Sequence, residues 1–124
     1  MRIDAEKVRQ RRRAEQERLL DQAREFAEGL DPTLGVKAVI VFGSVARGDF
    51  NVWSDVDVLV VADELPAHPV GRLDALGPPA ALVQPLAWSP DELRLHLRRG
   101  NPIAREVSER GVWLVGDADD LALR

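Results

Sequence analysis

Apolar residues along the chain fall into two kinds of spacing, and each predicts a different element. From residue 2 to about residue 29 there is no proline and no glycine before Gly29, and Leu19, Leu20, Ala23, Phe26, Ala27 and Leu30 recur at three- and four-residue intervals. That period puts them on one stripe of a long helix, facing a core. The first half of this helix has only Ile3 and Val8 as sizeable apolar side chains. Charges of both signs cover the rest, so this half is expected to project into solvent or touch a partner. Unbroken apolar runs mark buried strands instead: Lys37 to Phe42 (KAVIVF) and Asp55 to Ala62 (DVDVLVVA). Ala80 to Trp88 reads as a third strand, and Pro85 within it predicts an edge or a bulge. Val112 to Val115 is a short last strand.

Punctuation between these runs fills in the remaining elements. Gly43-Ser44 is a tight turn, and Val45 to Gly48 opens a short helix. The segment DELPAHPVG reads as a loop, with a short helix over Arg72 to Leu76 before Gly77-Pro78-Pro79. Ser89 as N-cap, Pro90 at the first helical position and Glu92 two places later make a capping box, and Gly100 closes that helix. Pro102 opens another helix that Gly111 ends. The tail GDADDLALR, residues 116–124, is expected to be loose. Helices and strands alternate, which predicts an α/β or α+β fold: a small mixed β-sheet flanked by helices, in a single domain over 1–124.

Composition narrows the class. Of 124 residues, 45% are hydrophobic and 31% charged, the balance of a globular protein. There is no cysteine, which excludes disulfides and thiolate metal sites and fits a reducing, cytoplasmic setting. No apolar run is long enough to span a bilayer. The formal net charge of -4 argues against direct nucleic-acid binding. Arg9, Arg11, Arg12 and Arg13 invite that reading locally, but Glu6, Glu15 and Glu17 lie within a turn or so and favour a solvated helix face.

One feature does not fit a structural strand. Asp55 and Asp57 stand two apart, so in a strand they share a face, roughly 6 to 7 Å apart. Val56, Val58 and Val60 take the opposite face, and Leu59 and Val61 continue the acidic one. Two like charges this close repel, and each is costly to desolvate. No lysine in the strand compensates them, so a divalent cation is the simplest partner; carboxylate oxygens suit Mg²⁺ or Mn²⁺. Gly43-Ser44 follows a strand and precedes a predicted helix. Glycine there lets a backbone approach a phosphate, and amide N–H groups with a serine hydroxyl can hold its oxygens. Either feature alone is ordinary, a turn or an exposed strand end. Together they describe a nucleoside triphosphate site.

The joint pattern resembles the nucleotidyltransferase superfamily: an apolar strand ending in Gly-Ser (VIVFGS, 39–44), ten residues between Ser44 and Asp55, and the acidic strand SDVDVLVV at 54–61. It is closer still to the minimal nucleotidyltransferases, small domains of the form GSxARG…SDxDLLV, and RRGNPIAREVSERGVWLVGD resembles their C-terminal end. The resemblance covers about residues 20 to 116. It implies transfer of a nucleoside monophosphate from an NTP, ATP foremost, to a hydroxyl. Gly43, Ser44 and Arg47 would bind the nucleotide, and Asp55 and Asp57 would be catalytic and hold Mg²⁺ or Mn²⁺. Arg47 has a second reading of equal weight, pairing with Asp49 or Asp55 to brace the loop. The resemblance also implies a partner, since such domains are often antitoxins of a small helical HEPN toxin. Homo-oligomerisation is left open.

The chain departs from this pattern at one place. Relatives supply a third carboxylate from the next strand, and counting back from WSPDE puts that position on Gln84. Glutamine can offer a metal one neutral oxygen but cannot accept a proton as a base. Three outcomes follow from that: a slow enzyme, a substitute acid such as Asp49, Asp63 or Glu64, or a binding module that has lost catalysis. Other candidates are weaker. His68 and His96 lack metal-ligand spacing and read as surface residues. Ser44 is in no G-x-S-x-G elbow. Trp53, Trp88 and Trp113 read as packing residues, although the loop carrying Trp53 is placed to touch a nucleobase.

Overall fold

The computed structural model describes residues 4–51, 53–79 and 82–123. The expected start of the first helix with Ile3, the start of the third strand at Ala80 and Ala81, and the terminal Arg124 lie outside them. Among the described residues the elements run α1 (Ala5–Glu28), a 3-10 turn (Pro32–Leu34), β1 (Val36–Phe42), α2 (Ser44–Arg47), β2 (Val56–Ala62), α3 (Pro69–Leu76), β3 (Val83–Trp88), α4 (Pro90–Arg98), α5 (Pro102–Arg110) and β4 (Val112–Val115).

The strands form one four-stranded mixed sheet in the order β3-β2-β1-β4. β1 runs antiparallel to both β2 and β4, and β2 runs parallel to β3. The two central strands are buried on both faces, which is why they read as unbroken apolar runs. β3 is an edge strand, the position that tolerates Pro85.

Two apolar layers sandwich the sheet. On one face Leu19, Leu20, Ala23 and Phe26 of α1 pack with Val39, Val41, Val56, Val58 and Val60. On the other, Leu93 of α4 and Ala104 and Val107 of α5 pack with Ala38, Ile40, Phe42, Leu59 and Val61. The capping box forms as the sequence requires: Glu92 N donates to Ser89 Oγ at 3.1 Å and Ser89 N to Glu92 Oε1 at 2.9 Å.

Three expectations change. The DELPAHPVG loop turns helical at Pro69, because His68 caps α3 by accepting the Val70 N–H on Nδ1 at 3.2 Å. His96 is half-buried rather than on the surface, with its ring stacked on Trp88 at 4.4 Å between centroids. The tail is not loose through residue 123. Leu121 is buried in the layer with α4 and α5, and Arg94 Nη1 donates to its carbonyl at 2.9 Å.

Candidate functional site

The site forms where β1 ends and β2 begins. Antiparallel pairing sets Phe42, the last residue of β1, opposite Asp57. The next residue, Gly43, therefore turns directly over the Asp57 carboxylate. Its backbone has φ +78° and ψ −157°, a combination that is costly for a side-chain-bearing residue. A Cβ on Gly43 would also press into Asp57 Oδ2 and stand 3.4 Å from Cγ. Two independent constraints thus demand glycine here. Gly43→Ala is expected to cost about 1–3 kcal/mol of stability from the backbone alone and to push the carboxylate away. Urea unfolding of the variant measures the first effect.

Asp57 points to the α5 side of the sheet, on the same face as Leu59 and Val61. It is half-buried, while Asp55, one residue before β2, is exposed. The Asp57 carboxyl titrates above the ordinary carboxylate range. Burial is the main cause, followed by the negative charges of Asp55 and then Glu106; the positive charge of Arg47 pulls the other way. Among the described residues no hydrogen bond or ion pair within 4 Å reaches either aspartate. Their oxygens are open on the side facing solvent.

Parallel pairing of β2 with β3 places Gln84 directly beside Asp57. The alternation of β3 puts Gln84 on the same sheet face as Leu86 and Trp88, and so on the face of Asp57. Gln84 thus stands where a third acid would complete the site, as counting along the sequence predicts. Two of the proposed substitute acids are excluded by the same topology. Asp63 and Glu64 follow the far end of β2, six or seven residues and about 20 Å along the strand direction from Asp57, and Asp63 faces Lys37 Nζ at 3.5 Å.

Arg47, in the last turn of α2, takes the bracing geometry in this structure. Its Nε donates to Asp49 Oδ2 at 3.1 Å, and its Nη1 donates to Glu106 Oε1 on α5. Asp49 is thereby tied to Arg47 rather than turned to the aspartates. Glu106 is the residue of this site that sequence reasoning did not single out: it lies in the RRGNPIAREVSERGVWLVGD stretch, whose resemblance gives it no role, and the packing of α5 against β1 brings it here. A cleft of about 380 Å³ opens on this side, lined by Arg47, Arg105, Glu106 and Arg110.

The donor set fits a hard divalent cation in one specific way. Two carboxylates with unpartnered oxygens and one neutral amide oxygen beside them supply part of an octahedral shell, leaving positions for water and phosphate oxygens. Among the described residues no group of three or more His, Cys, Asp or Glu side chains could hold a metal by itself. An ion here would be shared with a bound polyphosphate.

The nucleotidyltransferase domain family matches residues 20–113, most of the chain and all of this site. The chain belongs to that family. A Methanocaldococcus jannaschii protein named putative protein adenylyltransferase is 42% identical over 50 residues, 39% of this chain and 50% of its own length. The match thus spans half of that relative. Among solved structures, a nucleotidyltransferase of Sulfolobus solfataricus, itself described as putative, superposes with a TM-score of 0.61 at 23% identity, covering 82% of this chain and 84% of its own. A toxin–antitoxin crystal structure with AMP-PNP superposes with a TM-score of 0.52 at 18% identity, over 83% and 77%. At these identities the two likenesses concern the fold of this chain alone, a mixed sheet flanked by helices. In this chain the Gly-Ser turn follows β1 and the Asp-x-Asp pair stands at the start of β2. Among the described residues no helix is long and apolar enough to cross a membrane.

Proposed function

We propose that the protein transfers a nucleoside monophosphate, AMP foremost, from an NTP to a hydroxyl on a partner protein, and that it does so as the antitoxin of a HEPN-type toxin. The observation that carries the reading is the contact between Gly43 and the Asp57 carboxylate. It supports the reading because the turn suited to phosphate lies against one of the two acids suited to metal, Asp57. Family membership supports nucleotidyl transfer. The name of the Methanocaldococcus relative supports a protein acceptor and adenylyl as the group transferred. The toxin–antitoxin neighbour supports a protein partner.

In this reading Asp55 and Asp57 hold Mg²⁺ or Mn²⁺. Held there, such an ion would supply charge neutralisation for the phosphate oxygens as the α-phosphate is displaced. Gly43 and Ser44 hold the triphosphate by close backbone approach and a hydroxyl. Arg47 exchanges its Glu106 partner for phosphate when nucleotide arrives, a swap between two charge-assisted pairs. The acceptor hydroxyl lies outside the chain if it is a tyrosine, since the chain has none. The cytosol, with its ATP and Mg²⁺, is the compartment this chemistry needs.

A second reading has its own observation. Gln84 beside Asp57 removes the side chain that would take the acceptor's proton. On that reading the domain binds and neutralises its partner by contact alone.

One assay separates the two. The protein is incubated with ATP labelled at the α-phosphate, Mg²⁺ and the product of its neighbouring gene. Label on the partner, lost in Asp55→Ala and Asp57→Ala, supports the transferase. A tight complex that forms without label, and survives both substitutions, supports the contact reading.

A further inference from the structure

The apolar stripe of α1 does not stop where its leucines stop. Read toward the N-terminus, Ala23, Leu20, Leu19, Gln16 and Arg12 continue one helical face at three- and four-residue steps. Leu19, Leu20 and Ala23 meet the sheet. One and two turns further, the sheet has ended, and the same face meets the chain that links the Gly-Ser turn to Asp55. The residues change from apolar to hydrogen-bond donors at that border.

What they meet is a run of backbone carbonyls. Gln16 Nε2 donates to Val45 O at 2.7 Å. Arg12 Nη2 donates to Gly48 O and to Phe50 O, both at 2.8 Å. The Arg12 guanidinium also lies over the Phe50 ring, 4.2 Å from its centroid, and Phe50 is buried in the α1 layer. Segment 45–50 thus offers three carbonyls to one face of one helix.

The loop's other hydrogen bonds shape it without attaching it to α1. Gly48, at φ +86°, ends α2 with its N–H on Ser44 O at 2.9 Å. Asn51 and Ser54 close a turn on themselves, with Asn51 N on Ser54 Oγ at 2.8 Å and Ser54 N on Asn51 O at 3.0 Å. Asp55 leaves that turn directly.

We propose that Arg12, with Gln16, is a positioning residue of the active site: by clamping the 45–50 carbonyls to α1 it sets where the loop delivers Asp55. This rests on the transferase reading for its link to rate, but the clamp itself does not. Arginine is specific to the task. Its Nη2 carries two N–H groups, one for each of two carbonyls two residues apart, while the guanidinium plane lies over a ring, whereas lysine offers a point charge and no plane. Arg12 holds residues 48 and 50, beyond Arg47, whereas Ser44 and Arg47 are held by β1, α2 and the Gln16 bond to Val45, so losing Arg12 affects the metal side more than the nucleotide side.

Hydrogen exchange of the whole chain tests the clamp, comparing wild type with Arg12→Ala, Arg12→Lys and Gln16→Ala. Arg9→Ala is the charge control, since among the described residues Arg9 pairs only with Glu6 on the same helix. In Arg12→Ala, amides over 48–55 are expected to exchange at least about ten-fold faster, with β1 and β2 unchanged. Arg12→Lys and Gln16→Ala are expected to fall between wild type and Arg12→Ala, and Arg9→Ala to match wild type. In the transfer assay, Arg12→Ala is expected to lower kcat about ten-fold or more, with KM for NTP within about three-fold. Unchanged exchange over 48–55 would overturn the proposal, and so would faster exchange with full kcat. If Arg12→Ala fails to fold, Gln16→Ala and Arg12→Lys decide it by the same criteria. A wild type that transfers nothing would defeat the transferase reading, while the exchange comparison still decides the clamp.

Discussion

Asp57→Asn is expected to raise the melting temperature at neutral pH while lowering nucleotidyl transfer about a thousand-fold or more. The two effects have one origin. Asp57 is half-buried beside Asp55 and within the field of Glu106, and its carboxyl titrates above the ordinary value. A raised pKa means the folded state favours the protonated form. The associated stability is fully present below the unfolded carboxylate value and is lost as pH rises through the folded value. At neutral pH the ionised Asp57 therefore works against the fold, and a neutral asparagine of the same shape removes that cost. Wild type should lose stability as pH climbs through the window just above the ordinary carboxylate range, and Asp57→Asn should not lose it there. Melting curves across that window check the sign. The rate effect comes from the metal: losing about 4 kcal/mol of charge stabilisation corresponds to about a thousand-fold in rate. A variant both less stable and fully active would contradict both halves.

Gln84→Asp is expected to do the reverse. It restores an acid at the position paired with Asp57, on the same sheet face. If proton removal from the acceptor limits the reaction, the gain in kcat should be about 10²–10⁴-fold, the usual contribution of a general base. Without metal, a third carboxylate beside Asp57 adds like-charge repulsion and should lower the melting temperature. Mg²⁺ with nucleotide should recover it, because binding to the native state stabilises by mass action. Steady-state transfer and melting with and without Mg²⁺ measure the two effects. No gain in rate, with the protein folded and nucleotide bound, favours the contact reading, in which the domain acts by occupying its partner.

Much of this was legible in the sequence, for identifiable reasons. β1 and β2 are buried on both faces, so their apolar runs are unambiguous. Pro85 marked an edge or a bulge because a proline cannot sit in a fully paired strand, and β3 is the edge. Counting back from WSPDE found Gln84, and the β2–β3 register sets it opposite Asp57. Most of what stayed hidden depends on contacts distant in sequence. Glu106 has no role within the RRGNPIAREVSERGVWLVGD stretch that holds it and reaches Arg47 across 59 positions. His68 escaped notice as a cap because histidine is not among the usual capping residues. The tail looked loose because its acidic run outweighs its leucines, yet Leu121 finds a place in the second layer. Arg12 read as solvated charge and Gln16 drew no reading, because a stripe that turns from leucine to donors has no signature unless the carbonyls opposite are known.

The most direct test is Mn²⁺ binding followed by electron paramagnetic resonance, with and without a non-hydrolysable ATP analogue. Free ion should be taken up strongly only when the analogue is present, since two aspartates without a third acid cannot hold it alone. Uptake should vanish in both Asp55→Ala and Asp57→Ala. If nucleotide leaves the free Mn²⁺ signal unaltered in the wild type, or the substituted proteins take up the ion as well as wild type does, the acids flanking Val56 do not form the metal site.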